Sequence, residues 1–422
     1  MSAEAKGEGR RTKGEQDGPP VTGVVGTVAP AEPPSPFALR SSRTYDVEAL
    51  RAAEFPWTSS TIYLNHASIG PLPERTRKVL DEFNRRRGMP YLLPDREMFG
   101  ILIESRRLAA ALIGAHPEEI GLTVNTGFGL GLAARALPFK PGDVVLVSDR
   151  EFPANVYPWM RLEDRGVTME LLPTTAAGWP DEERLLERLR DPRVRCVAVS
   201  QVQFSSGYAV DLARLSAATR ETGAWLVVDA IQGIGQLPLD VGRVEVDVLS
   251  CGGQKWLLSP WGTGFVYVRR ELIASFDPAI TGWLAFENTD DLTRLTSYDP
   301  TLRADARRFE LMTLPYQDFA GFNPSVGLLL ELGIERIAGH LRGLHRPVLD
   351  WADRAGVPVT SPRDARGSGI LCVAPDRVAE AHRRLKGERI ICSLREGSIR
   401  LSPHCYTTLA EMERVAEVLG AG

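Results

Sequence analysis

The chain is poor in lysine. Only Lys6, Lys13, Lys78, Lys140, Lys255 and Lys386 occur in 422 residues, so arginine supplies 44 of the 50 basic side chains. Positions that need only a positive charge are thus filled by arginine, and a lysine kept in an apolar, glycine-rich stretch points to chemistry a guanidinium cannot perform. Cysteine is scarce as well: Cys196, Cys251, Cys372, Cys392 and Cys405 form no C-x-x-C pair and show no regular spacing. That argues against a disulfide framework or a zinc site and points to a reducing, cytoplasmic setting. The formal net charge of -4 gives no basic excess, so a nucleic-acid partner is not expected. No apolar run reaches membrane-spanning length, and "MSAEAKGEGRRTKGEQDGPP" lacks the apolar core of a secretory signal.

What is present fits a globular enzyme. With 43% hydrophobic residues, the chain can bury a substantial core and has the length of two domains. Residues 1–36 are rich in Gly, Pro and charged side chains and read as a disordered tail. From about residue 61, short apolar runs alternate with amphipathic helical stretches. The runs are "DVVLVS", "RCVAVSQV", "AWLVVDA", "VDVLSCGG" and "GFVYVRR"; "DEERLLERLR" and "LARLSAATRETG" are among the helices. Nearly unbroken apolar strands separated by helices predict an α/β fold: a mostly parallel sheet with helices on both faces, over residues 37–285. "TYDVEALRAAEF" reads as a short opening helix. Residues 286–422 predict a small α+β domain, opened by one long helical region in "SVGLLLELGIERIAGHLRGLHRPVLDWADRAG".

Ligands of such sheets bind beyond the carboxyl ends of the strands. Asp229 ends "WLVVD", and Lys255 follows a strand and two glycines in "SCGGQKWLLSPWGTG". An aspartate there can equally cap the next turn, and a lysine can be a plain surface cation. Together they match what a pyridoxal phosphate site requires: an amine to hold the cofactor and an acid opposite its ring nitrogen. The third requirement, a helix N-terminus for the phosphate, is met by Thr126-Gly127 in "LTVNTGFGLGLAARALPF", although a glycine-rich turn into a packed helix would look the same. A dinucleotide fingerprint fails there, because position 132 is Leu.

The run "VVDAIQGIGQLPLDVGRVEVDVLSCGGQKWLLSPWGTGFVYVRREL" resembles the core signature of the class V aminotransferase family, the cysteine desulfurase-like and isopenicillin N epimerase-like group of fold-type I pyridoxal-phosphate enzymes. "YLNHASIGPLP", "LTVNTGFGLGLA", "SDREFPANVYPW", "ARRFELMTLPYQDFAGFNPSVGLLLELGIERI" and "GSIRLSPHCYTTLAEMERVAEVL" resemble its other segments in order, so the likeness spans roughly residues 45 to 420. The resemblance implies a fold-type I transferase with a seven-stranded-type sheet, pyridoxal 5'-phosphate as cofactor, and a homodimer. It implies that Lys255 carries the internal aldimine and shuttles protons, that Asp229 pairs with the ring nitrogen, and that Gln232 reaches the phenolic oxygen. Thr126, Gly127 and Gln254 would contact the phosphate, Phe152 would lie on the ring face, and Arg400 would take the substrate carboxylate, with Arg395 flanking it. Thr281, Gly282 and Trp283 would reach a second subunit's site.

Three departures bear on the reaction. Phe152 stands where the desulfurase branch has His, and a phenyl ring cannot move a proton. Gln254 replaces a titratable His. The segment "RIICSLREGSIRLSP" is too short for a loop bearing a nucleophilic Cys; Cys392 sits in an apolar run, and Cys405 follows the Arg. Cysteine desulfurase is therefore disfavoured, leaving an aminotransferase as the main expectation, with a C–S or β-elimination lyase or an epimerase as alternatives. His66 and His404 fall near the site by analogy but read as structural. A non-catalytic cofactor-binding regulator is not expected, since residues 1–36 are too short and polar for a DNA-binding module.

Overall fold

A computed structural model describes residues 45–421 apart from positions 279 and 312, so the expected tail, residues 1–36, lies outside the described residues. The apolar runs form strands β1 (Ile62–Tyr63), β2 (Ile120–Thr123), β3 (Val144–Ser148), β4 (Thr168–Leu172), β5 (Val194–Ser200), β6 (Trp225–Asp229), β7 (Val248–Gly252), β8 (Gly264–Val268), β9 (Leu371–Val373), β10 (Ile390–Ile391), β11 (Ser393–Arg395) and β12 (Ser398–Leu401). Seven of them make one sheet in the order β2-β8-β7-β6-β5-β3-β4. β7, β6, β5, β3 and β4 pair in parallel. β8 runs antiparallel to both of its neighbours, β2 and β7. The sheet is thus the mostly parallel, seven-stranded one that the sequence predicts.

Successive side chains of a strand point to opposite faces, and here both faces are covered. Along β5, Val197 and Val199 join one core cluster, whereas Cys196 and Ala198 join the other. Along β6, Leu226 and Val228 separate from Val227 in the same way. Burial on both faces explains why these strands read as continuous apolar runs rather than alternating ones. The opening helix forms over Val47–Glu54, capped by Asp46, whose side chain accepts the amide of Ala49.

The single helical region expected after residue 325 is three helices: Tyr316–Leu332, Ile334–Leu344 and Arg346–Ala355. Gly333 makes the first break at φ 84°, a conformation costly for other residues. Beyond them, β11, β12 and β9 form a three-stranded antiparallel sheet. β1 pairs in parallel with β10, which lays the loop after β1 against β12.

Candidate active site

The carboxyl ends of β3, β5, β6 and β7 share one edge of the sheet, and the predicted residues gather there. Asp229, the last residue of β6, is 2% exposed. Its carboxylate accepts one hydrogen bond, from the amide of Ile231 at 3.1 Å. Burial raises its acid to about 7, partly opposed by that amide and by Lys255, with Glu151 adding to the rise. Lys255 lies three residues beyond β7. Burial lowers its amine to about 8, with Asp229 opposing and Arg400 and Arg395 assisting. Its Nζ lies 5.4 Å from the centre of the Phe152 ring. Phe152 is 42% exposed and meets Phe204 edge-on, centroids 5.3 Å apart.

On one side the crevice ends at the helix Thr126–Ala136, whose cap Asn125 accepts the amide of Phe128 at 2.9 Å. The first amides of any helix lack intrahelical acceptors, which makes this end attractive to an anion. Thr126 Oγ1 accepts the amide of Gly252 at 2.9 Å, and Ser250 Oγ donates to the carbonyl of Thr126 at 2.9 Å. A Cβ at position 252 would fall 2.6 Å from Gln254 Oε1 and 3.1 Å from Thr126 Oγ1. Glycine there is what lets Thr126 and Gln254 crowd one corner, next to Gly127.

The opposite side holds Arg400, on β12 and 2% exposed. Its guanidinium donates to Ser68 Oγ at 2.7 Å, the carbonyl of Phe204 at 2.8 Å and Ser393 Oγ at 3.3 Å. Among the described residues no carboxylate pairs with it. Burial, then the nearby charge of Arg395, lowers its basicity to about 10. Arg395 is exposed at the rim and donates to the same Ser68 Oγ at 3.4 Å and to the carbonyl of Leu394 at 2.7 Å.

Gln232 has other partners than those expected of it. Its Nε2 donates to the carbonyl of Ala67 at 2.9 Å, and its Oε1 accepts Trp256 Nε1 at 2.8 Å. One N–H of the amide is left for a ligand. His66 and His404, read from the sequence as structural, have both ring nitrogens in contact with groups of the chain. His66 contacts the carbonyl of Ser402 at 2.7 Å and the hydroxyl of Tyr406 at 2.8 Å. His404 contacts the carbonyl of Trp256 at 2.9 Å and accepts the amide of Cys405 at 2.7 Å. Burial lowers both rings, His404 to about 4. All five cysteines are buried, and burial pushes the Cys392 thiol up to about 12. Trp283, 43% exposed, sits in the turn Trp283–Ala285.

Three further residues carried no sequence signal of their own. Ser68 joins the two arginines. Glu151, buried next to Phe152, accepts the amide of Ser200 at 2.8 Å, Gln203 Nε2 at 2.7 Å and the hydroxyl of Ser200. Gln201, beyond β5, keeps a buried Oε1 with no hydrogen-bond partner. Among the described residues no group of three or more His, Cys, Asp or Glu could hold a metal ion, and no helix is long and apolar enough to cross a membrane.

The family model "Aminotransferase class-V" matches residues 94–382. A probable cysteine desulfurase of Methanothermobacter thermautotrophicus is 30% identical, over 71% of this chain and 73% of its own. Isopenicillin N epimerase of Streptomyces clavuligerus is 27% identical, over 86% and 95%, and an uncharacterized aminotransferase of Bacillus subtilis is 27% identical, over 75% and 82%. The solved apo structure of a cysteine desulfurase from Thermococcus onnurineus NA1 superposes with a TM-score of 0.79 at 24% identity, covering 88% of this chain and 97% of that one. With more than half of its length matched by the family model, the chain belongs to the class V aminotransferase family of pyridoxal-phosphate-dependent enzymes.

Proposed function

We propose that this enzyme holds pyridoxal phosphate on Lys255 and transfers the amino group of an α-amino acid to a keto acid. The side chains suit that cofactor. A weakly basic amine faces an acid with a single hydrogen bond among the described residues, a helix N-terminus stands at one end, and a buried guanidinium without an acidic partner among those residues stands at the other. In this reading residues 37–285 hold the cofactor and residues 286–422 bring the substrate-binding arginine. When bound, the cofactor supplies an electron sink for the bond broken at the substrate Cα.

The chain's own groups do the rest. Thr126, Gly127 and Gln254 would bind the phosphate. Asp229, whose acid is held near 7 by burial, would keep a proton on the ring nitrogen, and Gln232 would offer its remaining N–H to the phenolic oxygen. Phe152 would cover the ring face. Arg400 would grip the α-carboxylate through a charge-assisted pair. Lys255 would take the Cα proton and return it, since an amine near 8 is effective at both steps close to neutral pH.

One observation carries transfer over epimerisation. Of Lys255, Phe152, Gln254, His66 and His404, Lys255 alone is free to move a proton at the substrate Cα: Phe152 and Gln254 do not titrate, and the rings of His66 and His404 are fully engaged. Inverting a centre calls for a second base on the opposite face. The buried thiols likewise disfavour a desulfurase reaction, in which the substrate's sulfur passes to a thiol of the enzyme. The test is incubation of the loaded enzyme with an amino-acid panel, with and without a keto acid. Keto-acid-dependent product formation supports transfer; ammonia released without any acceptor overturns it in favour of elimination. We also propose a homodimer, to be checked by sedimentation.

A further inference from the structure

We propose that Arg395 determines specificity: with Arg400 it selects an α-amino acid whose side chain ends in a second carboxylate. This rests on the reading above, in which Arg400 takes the α-carboxylate. β11 and β12 pair with Ser393 opposite Arg400 and Arg395 opposite Ser398. Alternate residues of a strand share a face, so Arg395 and Arg400 are diagonal neighbours on one face of the hairpin. The connection Glu396-Gly397, with φ 45° and 77°, is the tight turn that fixes this register.

Both guanidiniums converge on one neutral oxygen, Ser68 Oγ, at 2.7 Å from Arg400 and 3.4 Å from Arg395. Neither has a carboxylate partner among the described residues, although arginines elsewhere on the surface commonly do, as in Arg214 with Glu183 or Arg414 with Glu388. Lys255 completes the set, since Arg395 and Arg400 both act on its amine. Both guanidiniums thus bear on the crevice of Lys255, where Asp229 is the acid acting on the amine. A monocarboxylate neutralises one guanidinium and leaves its neighbour uncompensated. A dicarboxylate answers both, the inner charge at buried Arg400 and the outer one at exposed Arg395. Ser68, which both guanidiniums contact, ties their spacing to the loop after β1.

The test compares each acid with its own amide, which matches it in size. L-Aspartate against L-asparagine and L-glutamate against L-glutamine are titrated into the pyridoxal-phosphate-loaded protein, reading the visible spectrum. One acid is expected to bind at least about tenfold more tightly than its amide, the order of a charge-assisted hydrogen bond. The preference should shrink as salt is added, because Arg395 is exposed. In Arg395→Gln the preference should fall to within about twofold, with affinity for the amide kept. Equal binding of acid and amide by the unaltered protein overturns the proposal. So does an Arg395→Gln variant that loses both by the same factor, because Arg395 would then grip the α-carboxylate. A loaded protein whose spectrum no amino acid changes overturns this proposal and the parent reading together, whereas a response without preference overturns this one alone.

Discussion

Asp247 and Asp229 are aspartates at opposite ends of neighbouring strands, 1% and 2% exposed. Asp247, just before β7, accepts Arg220 Nη2 at 2.8 Å, Arg269 Nε at 2.9 Å and the amide of Leu226 at 2.8 Å. Asp229, at the end of β6, accepts one amide. Burying a carboxylate is costly unless the chain surrounds it with donors. Around Asp247 the fold supplies three; around Asp229 it supplies one. The cations repeat the contrast. Arg303, 3% exposed, pairs with Asp290 at 2.8 Å, whereas Arg400, buried as deeply, has no acid among the described residues. Comparable burial therefore fits two roles: Asp247 and Arg303, whose partners come from the chain, stabilise the fold, while Asp229 and Arg400, short of partners among the described residues, suit the ligand-binding roles proposed for them.

The contrast can be broken by mutation. Lys255→Ala should have the largest effect, lowering turnover by at least about 10³-fold and removing the lysine-bound cofactor's visible band. Its circular dichroism should stay unchanged. If the band survives, Lys255 does not hold the cofactor. Asp229→Asn should lower turnover by about 10²-fold or more without lowering urea stability. Asp247→Asn should do the reverse, costing about 3–5 kcal/mol of stability because Arg220 and Arg269 lose their shared charge. Equal destabilisation by the two Asn variants would erase the distinction.

The pH dependence sharpens it further. The Asp229 acid rises from 3.8 to about 7, so the folded apoprotein holds a proton that the unfolded chain releases. That group favours folding below about pH 4 and loses this advantage as pH rises to about 7. The Lys255 amine falls from 10.5 to about 8, so its burial penalty is full below pH 8 and relieved as pH climbs to about 10.5. Denaturation curves of the apoprotein and Asp229→Asn should therefore diverge progressively from pH 4 to 7, the variant gaining relative stability; parallel curves would contradict the assignment. The smallest effect belongs to Cys392→Ala, which should leave turnover within about twofold and cost about 1 kcal/mol through packing. A loss of activity there would reinstate a nucleophilic thiol.

Local features gave away much of this. The runs around Val147, Val199 and Val228 announce strands buried on both faces, and the rarity of lysine singles out Lys255. Asp229 is placed by where its strand stops. What stayed hidden depends on contacts distant in sequence. Ser68 is 332 residues from Arg400, and a serine in "NHASIG" carries no mark of two guanidiniums. Gln232 follows the strand at the expected place, but its amide is claimed by Ala67 and Trp256, which only the folded loop brings near. Helical periodicity also ran on through Gly333, where one backbone dihedral ends the helix.

The parallel pairing of β1 with β10 has a consequence for how the protein comes into being. Ile62 meets Ile390 and Tyr63 meets Ile391, so a segment translated early waits for one translated late. β2 waits likewise for β8, its only neighbour in the sheet. Such non-local closures are slow and leave strand edges open in the meantime. The crevice between Ser68 and Arg400 is consequently among the last parts to form, so a nascent chain should acquire amino-acid recognition only after β12 has emerged and folded back.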